Sequence, residues 1–105
     1  MQQLAVDELA PLCHAQPQRV VLLDVREPWE IETASLKGIT PIPMREIPAR
    51  AAELPREREI VAVCHHGGRS MQVAMFLEQQ GFRLHNLTGG MDAWSREIDP
   101  AVPRY

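Results

Sequence analysis

Two short runs, Arg19–Asp24 (RVVLLD) and Glu59–Cys64 (EIVAVC), constrain this chain more than anything else in it. Both are rich in β-branched residues and leucine, and in neither do apolar and polar residues alternate. A strand with one face in water alternates, because successive side chains point to opposite faces. Unbroken apolar runs belong to strands covered on both faces, the habit of parallel sheets. Parallel neighbours need long crossovers, usually helices, and the chain supplies helix-like stretches. REPWEIETA places Pro28 where a first helical turn accepts it. Arg45–Leu54 predicts a helix halted by Pro55. Arg69–Gln80 carries a broad apolar face, with Met71 and Met75 expected in the helix core, and Gly81 ends it. Phe82–Leu87 reads as a third strand, and Gly89-Gly90 turns the chain into a last helix over Asp92–Glu97. Upstream, Gln2–Ala5 suits a short edge strand. Asp7 suits the N-cap of a helix with Leu9, Leu12 and Cys13 on its apolar stripe, in spite of Pro11. Gly38–Met44 is too rich in proline for a central strand and predicts a short extended segment. Residues 99–105 are expected to be an irregular tail. Strands alternating with helices define an α/β fold with a mainly parallel sheet. At 105 residues, a single domain over 1–105 is expected.

Charge and composition remove several classes of function. There are 11 basic and 14 acidic residues, a net charge of −3, and no basic stripe of the kind nucleic-acid backbones require. The longest apolar runs, Val20–Leu23 and Ile60–Cys64, fall far short of the roughly 20 residues of a membrane span. Asp7, Glu8 and the lack of a basic cluster at the start argue against a secretory signal. Two cysteines are too few for a disulfide-built fold. The expectation is a cytoplasmic protein with neither nucleic acid nor membrane as partner. Within this acidic chain, Ile60–Leu77 holds no acidic residue but gathers His65, His66 and Arg69. That is a small anion-friendly patch, although a buried strand and helix with few charges would look the same.

In open α/β sheets, ligands bind beyond the carboxyl ends of the strands. Two loops lie there: the one after Asp24 and the one opened by Cys64, Cys64-His65-His66-Gly67-Gly68-Arg69-Ser70. The second is a cysteine at the mouth of a short turn leading into a helix. Gly67 and Gly68 permit backbone conformations closed to other residues, so successive amides can form an anion-binding nest. The helix N-terminus adds roughly half a positive charge. Arg69, His65 and His66 add side-chain donors. Each feature favours the thiolate, which is the nucleophile. The spacing Cys64-x4-Arg69 is one residue tighter than the C-x5-R cradle of cysteine phosphatases; position 70 is Ser. The tighter loop suits one terminal sulfur atom better than a phosphate group.

With these residues in hand, the chain resembles the rhodanese family of single-domain sulfurtransferases. The resemblance rests on LLDVRE (Leu22–Glu27), CHHGGRS (Cys64–Ser70) and GGMDAW (Gly89–Trp94), in that order and spacing. It implies a three-layer fold with a five-stranded, mainly parallel sheet and helices on both faces. It also implies a ping-pong reaction in which Cys64 takes a sulfane sulfur from a donor such as thiosulfate and gives it to cyanide, a thiol or a protein acceptor. The loop amides from His65 to Ser70 would hold the persulfide, as an oxyanion hole would. No metal or organic cofactor is implied. The chain departs from the family pattern after the first loop. Many members carry a histidine in a stretch like GHIPGA; here Ala34–Pro41 reads ASLKGITP, with Ser35 and Lys37, which removes a polar contact expected near Glu27. The loop is also less basic than in many thiosulfate-preferring members, and histidines titrating near neutral pH would tune its anion binding.

Other residues have plainer readings. Asp24 and Arg26 lie at the same sheet edge as Cys64: Asp24 to bond loop amides, Arg26 to steer an anion or, the favoured reading for both, to brace the fold. Trp29 and Trp94 are expected in core or rim packing, and Cys13 in inert core. Cys13, His14, Cys64, His65 and His66 are adjacent pairs rather than ligands two to four apart, which argues against a zinc site. The rival readings are a rhodanese-like carrier or docking module with little turnover, and a phosphatase or arsenate reductase of similar fold.

Overall fold

The computed structural model describes residues 1–105. Five strands form one sheet: β1 (Gln2–Leu4), β2 (Val20–Asp24), β3 (Ile39–Pro41), β4 (Glu59–Val63) and β5 (Arg83–Leu87). Their spatial order is β1-β5-β4-β2-β3, and every pairing is parallel. The helices are α1 (Val6–Ala15), α2 (Pro28–Thr33), α3 (Ile47–Arg50), α4 (Gly68–Gln79) and α5 (Gly90–Glu97).

The two unalternating runs become the central pair, with Val20↔Glu59 through Asp24↔Val63 in register. Their side chains split between two cores, which is why neither run could afford polar alternation. Val21, Leu23, Ile60 and Ala62 join Val73 and Leu77 of α4 and Ile47 of α3 on one face. Val20, Leu22, Val61 and Val63 join Val6 and Leu9 of α1 and Met91 and Ala93 of α5 on the other.

Several local expectations shift. The N-cap of α1 is Ala5, not Asp7, and Glu8 Oε1 accepts the Ala5 N–H at 2.9 Å. Here the first-turn carboxylate does the work expected of a capping side chain. The helix runs through Pro11. The single helix expected over Arg45–Leu54 is α3 flanked by two 3-10 turns, Met44–Glu46 and Ala51–Glu53, since Pro48 lies in its first turn. Met75 is not core: it is 51% exposed, beside a 36% exposed Phe76. The six apolar residues over Met71–Leu77 wrap too far around α4 for one side to bury them all; Val73, Ala74 and Leu77 are the buried ones. No helix is long and apolar enough to cross a membrane.

Candidate functional site

Cys64 follows the last residue of β4, at the carboxyl end of the central strand, and the loop it opens leads directly into α4. Gly67, the N-cap of α4, takes φ +107°. That left-handed conformation is steric trouble for a residue with a Cβ. It turns the Gly67 N–H onto Cys64 Sγ at 3.1 Å. Ser70, inside the first turn of α4 and fully buried, brings Oγ to 3.3 Å from the same sulfur. Cys64 itself is only 1% exposed. Of the loop amides expected to converge on the sulfur, the Gly67 N–H is the one that bonds it.

The other wall comes from α5. Met91 N–H donates to the Cys64 carbonyl at 2.8 Å and Asp92 N–H to the His65 carbonyl at 3.0 Å. The first turn of α5 thus spends its otherwise unpaired donors on the loop, drawing its carbonyls away from the sulfur. Gly89 (φ +80°) and Gly90 (φ +57°) make this approach. A Cβ on Gly90 would overlap the Cys64 carbonyl oxygen and lie 2.6 Å from that of His65. The glycine pair expected only to shape the turn is therefore also a seat for the loop.

The charged residues are placed differently from the simple expectation. Arg69 does not reach out for an anion: its guanidinium grips Glu30 of α2 by two bonds of 2.7 Å. That grip holds the Glu30 carboxyl well below the usual carboxylate range, at about 2, and raises Arg69 in turn. Glu30 Oε2 also accepts the Glu27 N–H at 2.9 Å, capping α2. Asp24 does not bond the loop amides. Asp24 and Arg26 are both fully buried and paired, Nη2 to Oδ2 at 2.7 Å. Arg26 spends its remaining donors on the carbonyls of Ala34 (2.7 Å) and Glu30 (3.3 Å) and on the Tyr105 hydroxyl (2.9 Å). Every guanidinium N–H has an acceptor, which is what makes so buried a charge tolerable. The bracing role favoured for Arg26 fits this geometry, and anion steering does not. Glu27 pairs with Arg45.

His65 is stacked between two rings, with His66 and Tyr105 each 4.0 Å away between centroids. Burial, then the neighbouring His66, pushes His65 below its ordinary value. That disfavours the charged form in which it was expected to bind anions. His66 and Gly68 face solvent. Three contributors were not singled out in the sequence: Glu30, Asn86 and Tyr105. Tyr105, in the irregular tail, donates to Glu30 Oε1 at 3.1 Å, and Trp29 meets its ring edge-on at 5.8 Å. Trp29 is 61% exposed, at the rim, whereas Trp94, on α5, is partly buried against the core shared with α1.

Cys13 is elsewhere. It is half-buried, and burial pushes its thiol up. With His14, Leu22, Lys37 and Trp94 it lines a cavity of about 790 Å³ between α1, α5 and the β3 approach. Cys13 and His14 therefore do not join Cys64 and His65, and no three metal-ligating side chains come together.

A nearly buried cysteine at the carboxyl end of a parallel strand, bonded by the amide that starts the next helix, defines a class of thiol-centred α/β proteins. Within that class the chain belongs to the rhodanese-like family, whose Rhodanese-like domain model matches residues 5–97. A sulfurtransferase of Allochromatium vinosum is 40% identical over 89 residues, covering 84% of this chain and 83% of that protein. A chloroplastic rhodanese-like/PpiC domain-containing protein of Arabidopsis thaliana is 46% identical over 89 residues, 80% of this chain but 30% of its own length. The crystal structure of a rhodanese-like domain protein from Staphylococcus aureus superposes with a TM-score of 0.85 at 31% identity, covering 93% of this chain and 95% of that one. The family's fold, with its five-stranded sheet between helices, is the fold described above.

Proposed function

We propose that this protein is a sulfurtransferase that carries sulfane sulfur on Cys64. The Cys64 thiolate attacks the terminal sulfur of a donor such as thiosulfate. The donor's S–S bond breaks, sulfite leaves with the electron pair, and a Cys64 persulfide remains. A nucleophilic acceptor, cyanide or a thiol, then attacks the outer sulfur and releases the Cys64 thiolate, so that no net oxidant is consumed. The observation that carries this reading is the placement of Cys64 Sγ at 3.1 Å from the Gly67 N–H, inside a four-residue turn to Arg69. His65, His66, Gly67, Gly68, Arg69 and Ser70 form the active loop, while Asp24 and Arg26 support it from below. The turn is one residue shorter than the C-x5-R cradle that wraps a phosphate. Its arginine is already held by Glu30, which supports sulfur over a phosphate group as cargo. Two unbridged cysteines suit a reducing compartment such as the cytoplasm.

The test is thiocyanate formation from thiosulfate and cyanide, with wild type and Cys64→Ser. Turnover lost on substitution is the expected result; equal turnover would overturn the role of Cys64. A second reading, a sulfur carrier with a protein acceptor and little turnover on small donors, is favoured by the 61% exposed Trp29 beside Tyr105 at the loop's rim. It predicts one added sulfur by mass spectrometry without efficient thiocyanate release.

A further inference from the structure

The sulfur sits at the end of a directional chain of hydrogen bonds that runs across the sheet edge. Ser70 Oγ, 3.3 Å from Cys64 Sγ, is 2.6 Å from Asn86 Oδ1. The Asn86 amide is oriented by fixed partners: its Nδ2 donates to the Gly67 carbonyl at 3.3 Å and to Gln3 Oε1 at 2.9 Å. A carbonyl only accepts, so Nδ2 must face Gly67, and Oδ1 must then face Ser70. Ser70 owns one hydroxyl proton, and the short bond to Asn86 uses it. What Ser70 presents to the sulfur is a lone pair.

We infer that Asn86 is a positioning residue which, through Ser70, makes that hydroxyl an acceptor toward Cys64 and so favours the resting thiol over the thiolate. This deepens the proposed sulfur-transfer function and rests on Cys64 being its nucleophile. The S–H of Cys64 donates to Ser70 Oγ, and that bond is lost when the proton leaves. The thiolate keeps the Gly67 N–H and the field of the charged groups around it. Those groups are Arg69 and His65 on the loop, with exposed His66 beyond them. Glu30 of α2 neutralises Arg69, Asp92 of α5 faces His65, and Tyr105 of the tail stacks on it. From β5 the facing group is Asn86 itself, which is uncharged. Asn86 is 4% exposed, a polar residue of poor strand propensity near the end of β5, and this duty accounts for its presence there.

The inference fixes the sign of an effect that the opposite arrangement would reverse. If Ser70 donated to the thiolate, removing its hydroxyl would favour the thiol. If Ser70 accepts from the thiol, removing it favours the thiolate. The measurement is the ultraviolet absorbance of the Cys64 thiolate across a pH titration. It is made in a Cys13→Ser background, with Cys13→Ser/Cys64→Ser subtracted, and needs no sulfur-transfer activity. Ser70→Ala is expected to raise the thiolate fraction about three-fold at a fixed pH on the rising limb of the profile, moving the profile to lower pH. Ser70→Thr, which keeps a hydroxyl, is expected to retain the wild-type profile. Asn86→Leu frees the Ser70 proton to turn to the sulfur. It too should move the profile to lower pH, and in that background Ser70→Ala should move it back. A lower thiolate fraction in Ser70→Ala, or an unchanged one, overturns the inference even if Asn86→Leu fails to fold. Loss of thiocyanate formation with the expected titration intact would instead count against the sulfur-transfer reading alone.

Discussion

Replacing Gly90 by alanine tests whether α5 seats the active loop or merely follows it. Two costs can be worked out. Gly90 has φ +57°, and an L-residue there costs about 1–2 kcal/mol. The added Cβ would also overlap the Cys64 carbonyl oxygen and stand 2.6 Å from the His65 carbonyl oxygen, where ordinary contact begins at 3.4 Å. Neither neighbour is a flexible side-chain end, so the backbone of the loop must withdraw by at least about 0.8 Å at His65, and by more at Cys64. Withdrawal weakens the Met91 and Asp92 amide bonds to those carbonyls, each with a net value of about 1 kcal/mol. The total is a destabilisation of about 2–4 kcal/mol, or roughly 8–16 °C in Tm at about 4 °C per kcal/mol for a chain of this size.

Activity should suffer separately, because displacing a reacting group by about 1 Å can cost on the order of 100-fold. The expected loss in thiocyanate formation for Gly90→Ala is therefore about 10- to 100-fold, measured well below its Tm. Gly38→Ala is the control. Gly38 has φ +80° with nothing within 4 Å of the built Cβ, so it carries the backbone cost without the clash. It should lose about 1–2 kcal/mol and keep full activity. If Gly90→Ala matches Gly38→Ala in both Tm and turnover, the loop does not depend on close approach by α5, and the argument fails.

Acid should weaken the fold through Glu30. Its folded value, held at about 2 by Arg69, lies below the unfolded 4.5. Its contribution is therefore complete above about pH 4.5 and disappears as pH falls toward 2. It amounts to at most about 3 kcal/mol, and urea unfolding of Glu30→Gln should show a flatter dependence over that window. Asp24→Asn should cost about 3–5 kcal/mol in chemical denaturation, because it strands the fully buried Arg26 charge. Met75→Gln should change stability by less than about 0.5 kcal/mol, since the side chain is half in water; a core-sized loss would contradict its placement. Inserting one residue between Gly68 and Arg69 should rotate the guanidinium away from Glu30 and lower sulfur transfer. Unchanged transfer would count against the argument from loop size.

The elements visible in the sequence were those encoded by unmixed local signals. Two apolar runs without alternation predict two central parallel strands, and Pro28 and Gly81 mark helix ends because their backbone limits act within one turn. The Cys64–Ser70 loop was visible for the same reason: its glycines, its cysteine and its basic residues are contiguous. What escaped detection is set by residues far apart. Glu30 meets Arg69 across 39 positions and Asn86 meets Gln3 across 83, and no period or spacing encodes such pairs. Faint signals existed. Glu30 stands three residues after the Glu27 N-cap, where acidic residues cap helices, and Asn86 interrupts a strand that otherwise suits β residues. Tyr105 had none; a proline-flanked tail gives no local reason to place its ring on His65. Asp24 was expected chiefly to brace the fold, and it does so by pairing with Arg26; adjacency to the sheet edge does not reveal that Arg26, two residues on, is the partner that folds back onto it.

The electrostatics change the reason such a loop would choose sulfur. In the sequence, His65, His66 and Arg69 form a cationic cluster, and attraction of an anion is the natural inference. In the fold that charge is largely offset: Arg69 is bonded twice by Glu30, and burial against the neighbouring rings disfavours the charged form of His65. The cradle would then select less by net charge than by size and by a few directed dipoles, chiefly the Gly67 N–H and the N-terminal end of α4. A short dipole-lined turn whose guanidinium is already paired is a poor host for a tetrahedral oxyanion, which needs several donors and a free guanidinium. It is a better host for the outer sulfur of a persulfide, whose single negative charge is diffuse. Freeing Arg69 by Glu30→Gln should therefore strengthen binding of oxyanions such as sulfate or phosphate while leaving persulfide formation on Cys64 comparatively intact. Competitive inhibition by sulfate that is no stronger in the variant than in wild type would show that the balanced charge is not what turns oxyanions away.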